Sequence, residues 1–318
     1  MEFVVKKTTE LSITEQTEIL SLFNTVFEKN RTIEHFQNQF LNNPLGFSYH
    51  SMIIEKNKIV GCDSYIPSYY LVNGKRVLFA NGVDTMVSKP YRDFVNLYDM
   101  VTIVHDYMKN EGVKFVYGFP NDNAYPIFHK AKLMDDIGKL NTYILPCRIG
   151  GIKSKLKLFN GLSALFVNVY LYLITLFSSK KVYHFIIEKE ASSYNTTRYK
   201  RLDRDYKIIN YKGNQFVYKL MEYEGIKSAF LVDVLDKSPK NFNKAIKYIF
   251  KNEYKKFDVL LYVGFLPFIS HGLIRIPRKL EPKNFHFTGK MLRKDEIDKD
   301  TFFQIKNWDV NLSNYDLL

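Results

Sequence analysis

Polar and aromatic side chains crowd into the stretch GVKFVYGFPNDNAYPIFHKA, residues 112–131. Residues 114–117 read as a buried strand, and two asparagines, an aspartate, a tyrosine and a histidine follow where a helix is expected to begin. Polar groups gathered at the carboxyl end of a strand commonly face a ligand. Asn121 and Tyr125 are therefore candidate binding or catalytic residues.

A second stretch whose residues could take part in binding or catalysis is KRVLFANGVDTMVSKPYRDF, residues 75–94. Asp84 lies inside a predicted strand, where burying a carboxylate without partners is costly, so it is either functional or on the wet face of the strand. Lys89 and Arg92 follow on a loop that leads into a helix, and free N–H groups at such a helix start attract anions. On spacing alone, Arg92 is explained equally well as an anion-binding residue or as a solvated loop arginine.

Strands and helices alternate around these residues, which indicates an α/β fold with a mixed sheet. Ser12 and Glu15 have the form of a capping box that opens a helix. Gly82 lies inside the strand that carries Asp84 and marks a bulge or a close ligand approach. The predicted elements are strands at 3–7, 76–87, 114–118 and near 134–145, a hairpin within 49–67, and helices opening at 12 and spanning 33–41 and 93–112.

The second half of the chain repeats this plan, with a short helix, a strand, a tight Glu-Gly turn and another strand. A helix at 241–252 and a strand at 257–265 follow. We therefore predict two similar mixed α/β domains, 1–150 and 183–318, joined by an apolar helix at 151–182.

The connecting helix contains the uncharged run LFNGLSALFVNVYLYLITLFSS, residues 158–179. About 20 apolar residues would span a membrane. Polar residues interrupt the run, and this favours a helix buried between domains or at a subunit interface of a homo-oligomer. Membrane contact through 158–177 is the less favoured alternative. The lysines that flank the run are Lys153, Lys155, Lys157, Lys180 and Lys181.

The chain of 318 residues carries a formal net charge of +13, which draws anions. Without a run of five basic residues or a zinc-finger pattern, phosphorylated metabolites are favoured ahead of nucleic acid. Cys62 and Cys147 are the only cysteines, which argues for a reducing cytoplasm and against disulfides or a zinc site; no metal is expected. The N-terminal residues lack the apolar stretch of a secretory signal, and we expect a cytoplasmic protein.

The two stretches together resemble the GNAT (GCN5-related) N-acyltransferase superfamily. Pro90, Tyr91 and Arg92 match the family pattern V-x-P-x-Y-R-G-x-G that follows the fourth strand, and Asn121 and Ala124 match the later N-x-x-A-x-x-x-Y pattern. The resemblance is clearest over residues 1–145. The segments FTGKML and NWDVNLSNYDLL are similar to the second half of two-lobed GNAT proteins from surface-polysaccharide gene sets, which acylate nucleotide-linked amino sugars.

The resemblance implies direct acyl transfer from acyl-CoA, held between the fourth and fifth strands, to the amino group of a dTDP- or UDP-linked amino sugar. Asp84 is then the base or the group that orients the amine. Tyr125 is the proton donor to the thiolate, because Phe128 stands where relatives often have tyrosine. The acyl-CoA contacts would be Thr85, Met86, Val87, Arg92, Asp93, Phe94, Asn121 and Phe128. The acceptor contacts would be Asn81, His129 and Arg198.

Departures from the family pattern leave alternatives open. Asp93 and Val95 replace family glycines, and Asp93 either faces the diphosphate of CoA or caps the helix that begins at Phe94. Arg198 either meets substrate phosphates or pairs with neighbouring aspartates. The alternative functions are acyl transfer to an amino acid, a peptide or a lipid-linked amine, and a GNAT fold that only binds.

Overall fold

A computed structural model describes residues 1–174, 183–202, 204–281, 283–293 and 298–315. The chain forms two compact units, and each unit is assembled from three separate segments of sequence. Unit 1 comprises Met1–Lys139, Ile186–Arg204 and Phe285–Ile305. Unit 2 comprises Leu140–Phe185, Asp205–Asn284 and Lys306–Leu318. These borders differ from the predicted continuous domains 1–150 and 183–318, since the chain returns to each unit twice.

Strands and helices are numbered in chain order through both units. The strands are β1 (Glu2–Lys7), β2 (Tyr49–Glu55), β3 (Lys58–Val72), β4 (Lys75–Val87), β5 (Phe115–Gly118), β6 (Asp135–Lys139), β7 (Asn141–Pro146), β8 (Ile187–Lys189), β9 (Lys207–Tyr211), β10 (Asn214–Tyr223), β11 (Ile226–Val234), β12 (Val259–Gly264), β13 (Ile274–Arg275) and β14 (His286–Met291). The helices are α1 (Ile13–Phe27), α2 (Ile33–Leu41), α3 (Phe94–Asn110), α4 (Tyr125–Lys130), α5 (Ile149–Ile152), α6 (Asn160–Leu173), α7 (Ala191–Thr196), α8 (Pro239–Glu253) and α9 (Lys299–Phe302).

Unit 1 is built on a sheet in the order β1-β2-β3-β4-β5-β14-β6, with β8 paired to the far end of β3. β4 and β5 run parallel, whereas the other neighbouring strands run antiparallel. β14 comes from the last segment of unit 1 and lies between β5 and β6. The sheet thus receives one of its inner strands from the far end of the chain.

Local sequence explains the helix starts and turns of unit 1. The predicted capping box is confirmed: Ser12 Oγ accepts from the Glu15 N–H at 3.2 Å, and the Ser12 N–H donates to Glu15 Oε2 at 2.8 Å. The β3–β4 hairpin turns at Asn73 and Gly74, with φ of 50° and 76°. Positive φ at both positions is the type I′ requirement that Asn-Gly meets with least strain.

Two hydrophobic clusters cover the two faces of the unit 1 sheet. One joins α1 and α2 to strand residues such as Met52 and Met86. The other joins α3 and α4 to Tyr65, Ala80 and Val116. Successive strand residues point to opposite faces, so each strand contributes to both clusters.

Unit 2 has its own sheet, in the order β13-β7-β12-β11-β10-β9, with a core formed mainly by β10–β12, α8 and one side of α6. The predicted strand near 134–145 is two strands, β6 and β7, that belong to different sheets. The predicted helix at 241–252 and strand at 257–265 appear as α8 and β12.

Unit 2 also buries a charged cluster. Lys237 Nζ lies 2.6 Å from Asp233 Oδ1 and 2.6 Å from Asp309 Oδ1, with only 4% of the lysine side chain exposed. Asn311 Nδ2 donates to the same Asp233 oxygen at 2.6 Å. The cluster therefore joins the loop after β11 to the last segment of the chain through charge-assisted bonds.

The uncharged helix is largely exposed. The helical stretch Ser154–Leu173 has a mean hydropathy of 1.3 over its most apolar window, yet only 17% of that window is buried. By length and composition, it is the one described helix able to cross a membrane. The expectation that this helix is buried inside the chain is wrong over its described part, and residues 175–182 lie outside the described residues. A subunit interface stays a prediction.

Candidate functional site

The parallel ladder between β4 and β5 ends before β4 does. Its last rung joins Gly82 to Gly118, where β5 ends, while β4 continues through Val87. We call Val83–Val87 the β4 overhang. Within the described residues, no strand pairs with the edge of the overhang that faces the β5 side. The Val87 carbonyl accepts from Arg92, and the backbone N–H and C=O groups before it on that edge are available to an extended ligand.

A β-bulge lies inside the overhang. The β3–β4 register shifts so that Asp63 of β3 faces both Asp84 and Thr85, between the pairs Cys62–Met86 and Ser64–Val83. Asp84 has φ of +54°, in the left-handed region that aspartate tolerates better than most residues. A bulge re-aims the backbone and is common beside active sites. The predicted carboxylate thus lies at a strained point of the strand.

Asp84 is half-buried, and its carboxylate is paired. Its side chain is 7% exposed, and Oδ2 accepts from Arg31 Nη1 at 2.8 Å and from Gln39 Nε2 at 3.1 Å. Gln39 Oε1 in turn accepts from Arg201 Nη2 at 3.0 Å. The Arg31 guanidinium lies over the Phe23 ring at 3.8 Å. These contacts fix the carboxylate and offset the cost of burying it.

Next to this pair, Asp63 is completely buried and holds Thr85. Thr85 Oγ1 donates to Asp63 Oδ1 at 2.6 Å. Burial raises the pKa of Asp63 to about 6, against the lowering effect of hydrogen bonds from Thr85 and Tyr65. The Thr85 hydroxyl is thus engaged within the sheet, so its predicted acyl-CoA contact would come from its backbone.

Past the end of β5, Asn121 shapes the turn into α4. Its side-chain oxygen accepts from the N–H groups of Asn123 at 3.1 Å and Ala124 at 2.9 Å, and its backbone oxygen accepts from Tyr125 at 2.8 Å. This pattern is a typical Asx turn. The predicted role of Asn121 in holding the pantetheine chain stays a prediction.

Tyr125 lies in an aromatic stack with two histidines. Its ring centroid is 3.9 Å from that of His286 on β14, at an interplanar angle of 17°, and 5.8 Å from that of His129, at 13°. Burial raises the pKa of Tyr125, and the charge of Asp136 and a hydrogen bond to it raise it further. The phenol is therefore held protonated near neutral pH, as a proton donor requires.

His286 connects this stack to an acidic partner. Its Nε2 lies 2.9 Å from Asp122 Oδ1, and the side chain is 6% exposed while that of Asp122 is 59% exposed. His286 Nδ1 is buried and has no hydrogen-bond partner among the described residues. Because β14 runs beside β5, the imidazole lies just past the carboxyl end of β5. An Asp–His pair thus supports Tyr125.

The start of α3 is capped from within the chain. Asp93 Oδ1 accepts from the Asn96 N–H at 2.8 Å and Oδ2 accepts from Asn96 Nδ2 at 2.5 Å, so the capping alternative is confirmed. Arg92 Nε donates to the backbone oxygen of Val87 at 2.7 Å, which ties the loop to the overhang. Phe94, the first residue of α3, is exposed. The Asp93 carboxylate thus uses part of the backbone N–H site at the start of α3 that was expected to bind an anion.

The other predicted residues divide between core and surface. Met86 is buried in the cluster with α1 and α2 and Phe128 in the cluster with α3, so Phe128 serves as a core residue. Asn81 is half-buried on β4 opposite Tyr117. Arg198 belongs to unit 1, where its charge lowers the pKa of Tyr117, although burial raises it more. His129 is exposed on α4.

Several site residues were not predicted: Arg31, Gln39, Asp63, Asp122 and His286. Asp63 carried the same signal as Asp84, a carboxylate inside an apolar strand. His286 had no local signal, because only the placement of β14 beside β5 brings it to Tyr125. Within the described ranges, no group of three His, Cys, Asp or Glu side chains forms a candidate metal site.

Comparison with known proteins places the fold. No family model matches the chain, and no curated protein matches its sequence. Among solved structures, a conserved protein of Enterococcus faecalis V583, described as a probable N-acyltransferase, has a TM-score of 0.58 at 13% identity over 92% of this chain and 73% of that one. A GCN5-related N-acetyltransferase from Anabaena variabilis has a TM-score of 0.57 at 12% identity over 91% and 73%.

A GCN5-related N-acetyltransferase from Kribbella flavida is similar over 92% of this chain and 72% of its own, with a TM-score of 0.54 and 11% identity. At such identities the likeness establishes the fold. The predicted α/β fold of GNAT type is therefore confirmed.

Proposed function

We propose that this chain is an N-acyltransferase that moves an acyl group from acyl-CoA to an amine. The observation that carries the proposal is the β4 overhang, a bulged strand whose free edge begins where β5 ends. The N-acetyltransferases and the probable N-acyltransferase with the same fold support it.

The overhang fits the pantetheine arm of acyl-CoA, because an extended chain with amide groups can pair with a free strand edge. The diphosphate fits less well. Asp93 directs a carboxylate to the first turn of α3, where the backbone would otherwise attract an anion. Arg92 and Lys89 supply the nearby positive charge. We therefore expect the pantetheine and acyl parts to contribute more to binding than the diphosphate.

In the reaction we propose, the amine nitrogen attacks the thioester carbon, the C–N bond forms, and the C–S bond then breaks to release CoA. The bulged backbone N–H groups of the overhang are the donors for the oxyanion. Asp84, fixed by Arg31, orients the amine. Tyr125 gives a proton to the departing thiolate, and His286 holds its ring in place. The proton that the amine nitrogen loses passes through water and restores the Tyr125 phenol.

Direct transfer agrees with the state of the thiols. Cys62 and Cys147 are free and buried, and burial raises the pKa of each to about 12. A buried, protonated thiol is a poor nucleophile. Neither cysteine is thus suited to form an acyl-enzyme.

For the acceptor we propose a nucleotide-linked amino sugar in the cytoplasm. The net charge of +13 and the placement of Arg198 near Tyr117 in unit 1 support a phosphate-bearing substrate. A lipid-linked amine is the second candidate, favoured by the exposed apolar surface of α6.

The experiment has two stages. Calorimetry first measures binding of CoA, and failure to bind would overturn the proposal and favour a fold that has lost the activity. Release of the CoA thiol from acetyl-CoA is then followed with dTDP- and UDP-linked amino sugars, free amino acids, a short peptide, and vesicles containing an amine lipid. Turnover only with the lipid amine, or only with the amino acid or peptide, would replace the proposed acceptor.

A further inference from the structure

Helix α6 presents a second apolar side to solvent. One stripe, including Val167, Leu171 and Ile174, is buried in the core of unit 2. The opposite stripe is exposed, with Leu162 64%, Phe166 70% and Tyr172 71% accessible. We call this surface the α6 face; it consists of Leu162, Leu165, Phe166, Val169, Tyr172 and Leu173 of α6, together with Leu158 and Phe159 of the 3-10 turn Ser154–Phe159 that precedes it.

An apolar surface of this size is unusual on a soluble protein. The spacing of its members follows the helical repeat, so the side chains form one continuous strip. The loop after β12 contacts α6 and exposes a further apolar side chain. Tyr170 donates from its hydroxyl to the backbone oxygen of His271, and Ile269 on the same loop is 70% exposed.

Positive charge lies at one end of the α6 face. Lys153, Lys155 and Lys157 are exposed, and none forms an ion pair within the described residues. Lysines near a helix N-terminus oppose the helix dipole, so they do not stabilise α6 itself. An anionic partner beside the α6 face would account for the position of these three lysines. No charged residue interrupts the sequence from Leu158 to Leu173.

We propose that the α6 face docks unit 2 on an anionic lipid bilayer, with α6 lying in the plane of the interface. Apolar side chains enter the boundary between headgroups and acyl chains, and the lysines near the surface attract anionic lipid. A transmembrane orientation is disfavoured, because Val167, Leu171 and Ile174 would leave the core of unit 2.

Flotation with vesicles tests the proposal. The full chain is mixed with vesicles of phosphatidylcholine alone or of phosphatidylcholine with phosphatidylglycerol. We expect the protein to float with the anionic vesicles and far less with the neutral ones. The variant L162E/F166E should lower the bound fraction about tenfold, since charged side chains resist entry. Ile13→Glu, at an equally exposed apolar position of α1, is the matched control and should bind like the parent.

Two further variants separate the sources of binding. Replacing Lys153, Lys155 and Lys157 with glutamine should reduce binding to anionic vesicles to the neutral level. In Phe166→Trp, the fluorescence of the new tryptophan should be quenched more by lipids brominated near the headgroup than by lipids brominated at the chain end. The reverse order would show a spanning helix and overturn the proposal.

Binding to neither vesicle, or equal binding by parent and L162E/F166E, would also overturn it. If the parent is a dimer in solution that L162E/F166E converts to a monomer, and lipid has no effect, the α6 face is an interface between copies and the proposal is wrong. Unchanged far-UV circular dichroism of the variants excludes unfolding as the cause.

Discussion

Arg31 and Asp84 form a nearly buried ion pair, with Arg31 Nη1 2.8 Å from Asp84 Oδ2. The pair connects the residues just before α2 to the bulge in β4. A non-glycine residue in the left-handed region costs about 1–3 kcal/mol, and it persists when its surroundings hold it. The ion pair provides that hold. It therefore links the shape of the overhang to the position of the carboxylate.

Asp84→Asn should reduce turnover at least about tenfold, the usual lower scale for a group that handles or positions a reacting proton. Asparagine tolerates the left-handed conformation, so the bulge should survive. Turnover is measured by thiol release. Arg31→Met should produce a similar loss and Arg31→Lys a smaller one, since lysine keeps the charge. Loss of the acidic limb of the pH profile in Asp84→Asn would identify a base, and an unchanged profile a positioning residue.

Tyr125→Phe should keep the stack with His286 but remove the hydroxyl, and turnover should fall by at least about tenfold at saturating substrate. The effect should appear in kcat more than in KM, because the hydroxyl acts on the leaving thiolate. Tyr254→Phe removes a tyrosine hydroxyl from unit 2, outside the candidate site, and is the control. Equal activity of parent and Tyr125→Phe would show that the thiolate leaves without this acid.

Asp63→Asn should change how stability depends on pH. The folded pKa of about 6 lies above the unfolded value of 3.8, so the folded state loses stability as pH rises through this interval, by roughly 2–3 kcal/mol in all. The amide of the variant cannot ionise, which removes this loss, and its oxygen still accepts from Thr85. The melting temperature of Asp63→Asn relative to the parent should rise between pH 4 and pH 7. Asp106→Asn, at an exposed carboxylate of α3, should show no such trend.

Asp93→Asn should strengthen CoA binding several-fold by calorimetry, because asparagine keeps the cap of α3 while the negative charge near the diphosphate is removed. Acetyl-pantetheine has no diphosphate and should bind both proteins alike. A gain for both ligands would point to a change in the pantetheine site. No gain for CoA would place the diphosphate away from the start of α3.

Lys237→Met should destabilise unit 2 by about 3–5 kcal/mol, because two carboxylates would remain buried without their cation. Burial lowers the pKa of Lys237, but Asp233 and Asp309 outweigh this and raise it overall. Chemical denaturation gives the free energy of unfolding. Lys240→Met, at an exposed lysine nearby on α8, is the control. A loss below about 1 kcal/mol would mean that the cluster relaxes or takes up water.

Local patterns were sufficient for most elements of unit 1. The capping box at Ser12 and Glu15 was predicted, and the helix cap at Asp93 was one of two stated alternatives, because each depends on a few neighbouring residues. The Asp84 site was predicted only in part. Its partner Arg31 reaches it through the packing of α1 and α2 on the sheet, and no local pattern encodes that distance.

The sequence analysis missed His286 and placed the domain borders differently for the same physical reason. Strand pairing between distant segments depends on which edge is free when the sheet assembles, and residues 286–291 look like any short strand. The exposure of α6 was missed because an uncharged helix has the same composition whether it faces protein, lipid or water. Only the buried stripe of Val167 and Leu171 shows which side faces unit 2.

The position of β14 has a consequence for biosynthesis. β5 leaves the ribosome long before residues 286–291 exist, so an apolar strand edge of the nascent chain stays unpaired until those residues have been made. Unit 2 likewise waits for Trp308 and Asp309, which complete its core and its charged cluster. A premature stop codon anywhere before residue 286 would therefore leave both units incomplete, and the truncated chain would be degraded.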